Sequence, residues 1–374
     1  KLNLTSEQSH KSLAKTLKER SPEPDWFGIV ENTCLALLEV VRQGEPVINL
    51  ATHTDTALLK WRLWPFIIEG EANVLYGPGD TGKSMTATLA AILITNGLER
   101  YGLGVEQGNV LYLDWETNPA EVGTRAKGLC AGLGIEMPPI NYRYMTQTLA
   151  HDAESLMAII HDMSINVLIV DSMGPAINGD DNKSGPINEL FNVLRSLKVT
   201  TLIIDHENKD GGQYGSIYKY NRARNIWKAR PSEAARVDGI AKIAMYHEKI
   251  NNGRRMTTPL GLSFSFEEEG RIYFDRVDVV DDPEFSSRIS TRVRAREYIK
   301  RDGPATPETI TSALNEGVDV KNHVKADSVR KSMDRSEEFV RLPTGEYALR
   351  ALGEANAVVE EFINKTKVDS DPLF

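Results

Sequence analysis

The sequence predicts an α/β protein built on a parallel sheet with helices on both faces. Between about residues 68 and 274, short runs rich in β-branched and aromatic residues alternate with longer amphipathic stretches. This alternation is typical of strands joined by crossover helices. A second observation is the glycine-rich turn GPGDTGKS, which lies between one such run and an apolar helical stretch. The chain has 374 residues, enough for this domain and for smaller modules on either side.

The predicted strands of the sheet are short and mostly apolar. They cover residues 72–76, 109–114, 142–146, 166–171, 200–205 and 240–246. In the stretch GLSFSFEEEGRIYF, apolar and polar residues alternate on both sides of a turn, which predicts a closing hairpin. The acidic stretch that follows, DRVDVVDDPE, is interpreted as a linker. The main domain is therefore assigned to residues 46–280.

Two modules are predicted to flank this domain. Residues 1–45 are expected to form an amphipathic helical arm that is too short to fold alone and is suited to subunit exchange. Residues 286–351 have the pattern of three helices and a hairpin, with Thr306 and Pro307 at a helix start, which predicts a winged helix. Its third helix would present basic residues that we expect to contact DNA, namely Lys325, Arg330, Lys331 and Arg335. Such modules also bind proteins, and that alternative stays open. Residues 352–374 are assigned to a tail.

Composition excludes several classes of protein. Hydrophobic residues make up 41% and charged residues 26%, which is typical of a globular chain and not of a disordered one. No apolar run approaches the roughly 18 residues of a membrane span, and no signal peptide is evident, so we expect a cytoplasmic protein without membrane contact. Cys34 and Cys130 lack metal-ligand spacing and are interpreted as reduced, buried thiols.

Charge is unevenly distributed along the chain. The net charge is −9, which by itself does not favour binding to nucleic acid. Residues 206–230, however, contain six Lys or Arg against two Asp or Glu, and residues 286–350 contain thirteen against ten. These two windows are where a polyanion could be held.

The glycine-rich turn, residues 77–84, matches GxxxxGK[ST], the pattern of a phosphate-binding P-loop. It follows the strand VLY and opens the helical stretch SMTATLAAILI. In such a loop the backbone N–H groups surround phosphates, Lys83 reaches the β- and γ-phosphates, and the hydroxyl of Ser84 coordinates Mg²⁺. The sequence therefore predicts ATP and Mg²⁺ as ligands. The residues expected to contact the nucleotide are Gly77, Pro78, Gly79, Asp80, Thr81, Gly82, Lys83, Ser84 and Met85.

Two further strands end in carboxylates at the edge of the sheet where ligands bind. The apolar strand in VLIVDS ends in Asp171, the position expected for the residue that holds Mg²⁺ through water. The stretch VLYLDWET offers Asp114 and Glu116, which share one face of a strand because they are two residues apart. Glu116 is our candidate for orienting or deprotonating the attacking water. The alternative is that both carboxylates only cap the next helix.

A basic, tyrosine-containing segment follows the fifth strand, in LIIDHENKDGGQYGSIYKYNRARNIWKAR. Three glycines are expected to make it flexible, namely Gly211, Gly212 and Gly215. Tyrosines alternate with cations, so bases could stack on the rings while the cations hold phosphates. We predict that Tyr218, Lys219 and Arg222 contact DNA, as a single strand. The alternative is a solvated loop whose aromatic rings pack on the domain.

Taken in order, the segments FIIEGEANVLYGPGDTGKS, VLYLDWET, LIVDSMGPAINGDDN, LIIDHENK and GSIYKYNRARNIW resemble the RepA-like hexameric replicative helicase branch of the RecA-like P-loop ATPases. The resemblance covers roughly residues 65–275. It implies a RecA-like core that binds MgATP through Lys83, Ser84 and Asp171. It also implies that Glu116 is the catalytic base and that His206 senses the γ-phosphate.

The resemblance further implies ATP sites between subunits, to which a neighbour supplies an arginine. Arg224 is the candidate for this role. Related helicases carry a Lys and then an Arg two residues later in the segment that matches YHEKINNG, but here Asn251 follows Lys249 at that spacing. The identity of the arginine therefore stays open, with Arg254 and Arg255 as alternatives.

These observations lead us to expect an ATP-dependent DNA motor. The first hypothesis is a homo-oligomeric DNA helicase, a hexameric ring that acts in DNA replication together with other replication proteins. A recombinase of the RecA or RadA kind, or its paralogue, is one alternative. A nucleotide-switched winged-helix DNA-binding regulator is another, but it would not need the catalytic carboxylate of Glu116.

Overall fold

The structure is a computed structural model that describes residues 2–43, 47–52, 59–177, 179–180, 182–207, 217–232, 239–267, 269–280 and 282–350. The chain divides into two compact units, Lys1–Leu58 and Leu59–Phe374. The predicted tail, residues 352–374, and the glycine-bearing part of the basic segment, residues 208–216, lie outside the described residues.

The first unit contains a pair of helices, α1 (Glu7–Arg20) and α2 (Trp26–Gln43), which contact each other. Helix α1 begins where the side chain of Ser6 accepts a hydrogen bond from the backbone N–H of Ser9. Its first turn carries an acidic residue and its last turn two basic ones, which complements the helix dipole.

The second unit is built around a large sheet. A small three-stranded sheet precedes and flanks it, formed by β1 (Trp61–Trp64), β2 (Ile67–Ile68) and β4 (Gly104–Val105). The strands of the large sheet are β3 (Ala72–Gly77), β5 (Asn109–Asp114), β6 (Asn141–Tyr144), β7 (Ile165–Asp171), β8 (Thr200–His206), β9 (Asn225–Pro231), β10 (Ile240–Ile250), β11 (Leu260–Phe266) and β12 (Ile272–Val277).

The order of strands across the large sheet is β12-β11-β10-β9-β3-β8-β7-β5-β6. The six strands from β9 to β6 are parallel, whereas β10, β11 and β12 are antiparallel to their neighbours. The sheet is therefore mostly parallel, and the predicted hairpin forms its antiparallel edge. Strand β3 lies at its centre, so the turn that follows β3 is at the middle of the sheet edge.

Helices cover both faces of the sheet. Helices α3 (Lys83–Asn96) and α4 (Pro119–Leu133) share one core with Leu75, whereas α5 (Ala153–Asp162) and α7 (Ser184–Leu197) share the other with Val74 and Tyr76. Successive residues of β3 thus enter opposite cores, as the period of a strand requires. Two short helices complete this domain, α6 (Met173–Ala176) and α8 (Ile217–Arg222).

The structure corrects the sequence interpretation at two places. The stretch NIWKARP, assigned to a basic surface segment, is strand β9, in which Trp227 is fully buried and stacks on His247 with 4.3 Å between ring centroids. Burial of a large aromatic ring outweighs the local charge here. The acidic stretch interpreted as a linker is packed instead, because β12 extends into it and Val279 and Val280 are buried.

Residues 282–350, here called the C-terminal module, contain α9 (Pro283–Ser286), α10 (Thr291–Asp302), α11 (Pro307–Asn315), α12 (Ala326–Asp334), β13 (Phe339–Arg341) and β14 (Tyr347–Leu349). Thr306 caps α11 and Pro307 is its first residue, as the sequence predicts. The three longer helices and the hairpin enclose a separate core that includes Ile310, Val329 and Tyr347. None of the helices in the described ranges combines the length and apolar character needed to cross a bilayer.

Candidate nucleotide site

One cavity of about 530 Å³ is lined by five of the residues that were singled out from the sequence. The cavity lies at the carboxyl ends of β3, β5, β7 and β8, where the turns after parallel strands meet. The five residues come from four different segments of the chain, and they are Lys83, Ser84, Glu116, Asp171 and His206. The fold therefore brings together side chains that are up to 123 positions apart in sequence.

The loop between β3 and α3 has a backbone that requires glycine at two positions. Gly82, the N-cap of α3, has φ of +83°, a region that residues with a Cβ rarely adopt. At Gly77, a Cβ would lie 2.6 Å from the carbonyl oxygen of Ala229. The hydroxyl of Thr81 donates to the carbonyl of Pro78 at 2.5 Å and holds the loop closed. The N-terminus of the 14-residue helix α3 thus opens on the cavity, a favourable position for an anion.

Lys83 is buried in this loop, and its Nζ donates to the carbonyl oxygens of Gly77 at 3.0 Å and Pro78 at 2.5 Å. Burial lowers the pKa of the Lys83 amine, while the carboxylates of Asp171 and Glu116 oppose that shift. A phosphate is a stronger acceptor for an ammonium group than a carbonyl oxygen. The arrangement therefore suits an anionic ligand that replaces these carbonyl contacts.

Asp171, at the end of β7, is a buried carboxylate that accepts hydrogen bonds from two hydroxyl groups. Its Oδ2 accepts from the hydroxyl of Tyr112 at 2.5 Å. Burial raises the pKa of Asp171, and hydrogen bonds from Tyr112 and Ser84 partly oppose the rise. A buried carboxylate next to a serine hydroxyl provides the oxygen ligands that Mg²⁺ prefers, and a bound cation would offset the cost of burying the charge.

The described ranges contain no group of three or more His, Cys, Asp or Glu that could hold a metal by itself. Mg²⁺ bound with a nucleotide takes most of its ligands from phosphates and water and few from protein. Asp171 and Ser84 therefore fit Mg²⁺ that is bound together with a nucleotide.

Glu116 lies just after β5 and is held by two side chains. Its Oε1 accepts from the hydroxyl of Ser172 and lies 3.4 Å from Nε2 of His206. The hydrogen bond with His206, followed by the one from Ser172, lowers the pKa of Glu116 to about 2, although burial acts in the opposite direction. Glu116 is therefore an ionised carboxylate at neutral pH.

Asp114, the other acidic residue of the same stretch, has a structural role. It is buried, and its Oδ1 accepts from the backbone N–H groups of Glu116 and Thr117. Its Oδ2 accepts from the hydroxyls of Thr117 and Tyr142. Asp114 thus fixes the turn that presents Glu116 to the cavity, and only Glu116 lines the cavity.

Sequence reasoning missed a cation in this site. Arg125 of α4 also lines the cavity and is half-buried. It lies on the same helical face as Val122, Ala126 and Leu129, which are buried. A basic residue within an otherwise apolar helical face was the signal that could have identified it.

A second missed group is an ion-pair cluster beside the loop. The N–H of Glu207 donates to the carbonyl of Gly77 at 3.0 Å. The Glu207 carboxylate pairs with Lys228 at 3.1 Å and with Arg230, both from β9. These contacts lower the pKa of Glu207, although burial opposes them. The cluster became visible only once β9 was known to lie next to β3.

Arg224 does not lie in the cavity of its own chain. Its backbone N–H donates to the carbonyl of Ala72, at the start of β3, whereas the loop follows the end of that strand. Six residues of β3 separate the two, roughly 17–20 Å at the rise of a strand. The side chain is exposed, with Glu71 at 4.0 Å.

The other cations considered for this role are engaged elsewhere. Lys249 donates to three carbonyls at the end of α8, those of Tyr220, Asn221 and Ala223. Arg254 pairs with Glu338 of the C-terminal module at 3.4 Å. Arg255 donates to the backbone carbonyl of Glu248 at 3.4 Å.

The structure corrects the prediction that Lys219 contacts DNA. Lys219 is fully buried, and its Nζ lies 3.2 Å from Oδ1 of Asp205, which is also buried. Since a buried lysine is costly without a partner, this pair holds α8 against β8 and is not available to a polyanion. Arg222 is half-buried and donates to the amide oxygens of Asn188 and Asn192 on α7.

The remaining predicted DNA contacts are on the surface. Tyr218 is 44% exposed. Lys325, at the start of α12, is exposed. Arg330 and Lys331 are exposed and pair with Asp327 at 2.5 and 2.7 Å. Surface pairs of this kind are weak, so these cations remain available to a stronger anion.

Residues 46–212 match the family model described as AAA domain. The matched span contains the loop after β3 and all five residues that converge on the cavity. No curated protein shows a significant match to the chain. The match and the cavity together support nucleotide binding with a divalent metal and nucleotide hydrolysis. The match thus indicates an AAA or P-loop ATPase-like domain in residues 46–212.

Proposed function

We propose that this protein is an ATP-hydrolysing DNA motor, a hexameric helicase of the RepA-like kind that acts in DNA replication. The observation that carries the proposal is that Glu116 and His206, which contact each other, line the same cavity as Lys83 and Asp171. A protein that only binds nucleotide needs the phosphate loop and the metal ligand. It does not need an ionised carboxylate that is held by a histidine in the same cavity.

The residues of the cavity divide the chemical work. The loop N–H groups and Lys83 bind the phosphates, and Ser84 and Asp171 hold Mg²⁺, which offsets phosphate charge when bound. Glu116 accepts a hydrogen bond from the attacking water and orients it towards the γ-phosphate. Ser172 keeps the Glu116 carboxylate in position through its hydroxyl.

His206 links the state of the nucleotide to Glu116. In this structure its imidazole contacts Glu116, which keeps the pKa of that carboxyl near 2 and makes it a weak base. A γ-phosphate in the cavity competes for the same imidazole. When His206 turns to the phosphate, Glu116 loses its main stabilising partner, its pKa rises, and it becomes a better acceptor for the proton of water.

The proposed DNA contact rests on the C-terminal module. Its three helices followed by a hairpin have the order of a winged helix, and α12 presents exposed cations on the surface. Tyr218 supplies an exposed ring on the main domain for stacking with a base. Lys219 has no part in the proposed contact.

The proposed ring follows from Arg224. Because this side chain is exposed at the sheet edge opposite to the cavity, it cannot reach a nucleotide in its own subunit. In a head-to-tail assembly the same side chain faces the cavity of a neighbour, where it would stabilise charge on the transferred phosphoryl group.

The test is ATP turnover with and without single-stranded DNA, measured for the unmodified protein and for Lys83→Ala and Glu116→Gln. We expect DNA to raise turnover, Lys83→Ala to lose ATP binding and turnover, and Glu116→Gln to retain ATP binding without turnover. Glu136→Gln, which changes an exposed carboxylate outside the cavity, is the matched control and should behave as the unmodified protein.

Two results would contradict the proposal. Turnover that DNA leaves unchanged would exclude a DNA motor while retaining an ATPase. A protein that binds ATP without hydrolysing it, with or without DNA, would instead be a nucleotide-switched regulator.

A further inference from the structure

A groove of about 690 Å³ in the C-terminal module lies between the start of α10 and one face of α12. Its lining contains three basic side chains, five hydroxyl side chains and no carboxylate. The basic residues are Arg292, Lys331 and Arg335. Arg292 precedes Ala326, the first residue of α12, by 34 positions, and α11 lies between them. Only the packing of the three helices brings Arg292 beside α12.

The α12 side of the groove is a fixed surface. Ser328, Lys331, Ser332 and Arg335 follow one another at intervals of three and four residues, so they line one side of the helix. Val329 and Met333, on an adjacent side, are buried in the core of the module. Packing of the buried side therefore sets the direction in which the groove residues project.

The charge in the groove is largely uncompensated by the protein. Within the described residues, Arg292 and Arg335 have no acidic partner at ion-pair distance. Lys331 pairs with Asp327, an exposed carboxylate that is not part of the lining. Cations gathered in one groove repel one another, and a bound polyanion would relieve that repulsion.

The hydroxyl groups match the same ligand. Hydroxyl side chains and arginines are the groups that bind phosphate oxygens, and the start of the 12-residue helix α10 adds backbone N–H groups beside them. The groove offers no large aromatic ring and no carboxylate or amide side chain that would read a base. Its chemistry therefore fits phosphate oxygens, which every nucleic-acid strand presents whatever its sequence.

We propose that this groove binds the phosphate backbone of a nucleic-acid strand, with Arg292 and Arg335 as its principal contacts. The inference rests on the proposed function, which it deepens by adding Arg292 of α10 and by confining the contact to the side of α12 that faces it. Of the basic residues predicted from the sequence, Lys325 and Arg330 lie outside the groove lining, whereas Lys331 and Arg335 are part of it.

The test uses the full chain and a fluorescein-labelled thirty-nucleotide oligo(dT), with affinity measured over a range of salt concentrations. We expect Arg292→Glu combined with Arg335→Glu to weaken binding at least tenfold, and to reduce the slope of log affinity against log salt by about 1.4 for two lost phosphate contacts. ATP turnover without DNA should be unchanged, because neither residue lies at the nucleotide cavity.

Lys325→Glu combined with Arg330→Glu is the matched control. It makes the same change of charge on exposed residues of the same module, and we expect less than about a threefold loss because the lost contacts are outside the groove. Asp327→Asn, which releases Lys331 from its carboxylate, provides a second variant and should tighten binding.

An equal loss of affinity in the two charge-reversal pairs would overturn the groove as the site, while DNA-stimulated turnover in the unmodified protein would still support the proposed function. If the unmodified protein hydrolyses ATP but binds no oligonucleotide, both proposals fail. Competition by a phosphoserine peptide that binds the groove more tightly than oligo(dT) would assign the groove to a phosphorylated protein and overturn the nucleic-acid assignment.

Discussion

Nε2 of His206 lies 3.4 Å from Oε1 of Glu116, so the two side chains at the open edge of the sheet form a pair. This contact is the largest cause of the low pKa of Glu116, about 2, and the Ser172 hydroxyl adds to it. The strength of Glu116 as a base is therefore set by its neighbour on β8. A group that binds or displaces the His206 side chain therefore changes the pKa of Glu116 without contacting Glu116 itself.

Replacement of His206 by Gln should separate nucleotide binding from hydrolysis. Without the imidazole, the pKa of Glu116 should rise from about 2 towards its ordinary value of 4.5. We expect ATP affinity to change little and turnover to fall by roughly 10²-fold, because the γ-phosphate loses the imidazole that links it to Glu116. Fluorescent-nucleotide binding and steady-state turnover measure the two quantities.

The pH profile of the same variant provides an independent check. The value of kcat/KM, which reports the nucleotide-free protein, should fall for His206→Gln as the pH drops towards 4.5, where Glu116 becomes protonated. The unmodified protein without nucleotide keeps Glu116 ionised to a lower pH. Ser172→Ala, which removes the smaller of the two contacts, should give a smaller displacement in the same direction. Identical acid limbs in all three proteins would show that His206 does not control Glu116.

The nucleotide loop could be predicted from the sequence because its geometry depends on local residue types. The positive φ of Gly82 and the close approach of Ala229 to Gly77 require glycine, and such requirements appear directly in a motif. The carboxylates at strand ends were also accessible, since parallel strands present their carboxyl ends to one edge. The sequence favoured Glu116 over Asp114 as the catalytic carboxylate but left open that both cap the next helix. The hydrogen bonds of Asp114 show that it fixes the turn before Glu116.

What depends on strand order could not be predicted. The residues around Lys219 have the composition of a surface loop. In the structure, however, the amine of Lys219 on α8 lies next to Asp205 on β8. The strand that contains Trp227 has three cations in or next to it and no alternation of apolar and polar residues, so its local sequence favoured a loop. The neighbours of these residues come from parts of the chain that the sequence does not connect.

Lys219 should be required for stability. Removing its amine by Lys219→Met leaves the carboxylate of Asp205, 2% exposed, buried without its cation. Loss of one partner from a buried pair costs about 3–5 kcal/mol of unfolding free energy. Urea unfolding followed by circular dichroism measures this cost.

Combining Lys219→Met with Asp205→Asn removes both charges and should recover part of the loss. Affinity for DNA, measured on the folded fraction, should not follow the number of charges at position 219. A Lys219→Met protein as stable as the unmodified one, but weaker in DNA binding, would restore the original sequence prediction and contradict the burial.

His247 should make the protein less stable in mild acid. Its Nδ1 accepts from the N–H of Met256, so Nε2 carries the proton and donates to Asn225, which fixes the neutral ring. Burial lowers the pKa of His247 from its ordinary 6.5 to about 4. Because the unfolded chain takes up this proton first, the stability contribution is complete above pH 6.5 and is lost as the pH falls to about 4, by roughly 3 kcal/mol.

Urea titrations at several pH values between 4 and 7 test this expectation. His247→Phe preserves an aromatic ring against Trp227 but cannot titrate, so its stability should fall less steeply with decreasing pH than that of the unmodified protein. His161→Phe, at an exposed site, controls for the loss of one histidine and should keep the original slope. Parallel slopes for His247→Phe and the unmodified protein would contradict the assignment.

Arg224 provides the test of a shared active site. If it completes the cavity of a neighbour, Arg224→Ala should bind ATP normally and lose turnover, by about 10³-fold or more on the scale of other arginine fingers. Lys83→Ala is inactive for a different reason, since it alters the cavity itself.

Mixing the two inactive proteins, Arg224→Ala and Lys83→Ala, should restore activity at those interfaces where an intact Lys83 of one subunit meets an intact Arg224 of the next. Lys83→Ala mixed with Glu116→Gln is the control, because both residues line the cavity of one chain and no mixed interface contains a complete set. Recovery in the first mixture alone would assign Arg224 to the neighbouring site, and absence of recovery in both would leave Arg224 as a surface residue of the sheet edge.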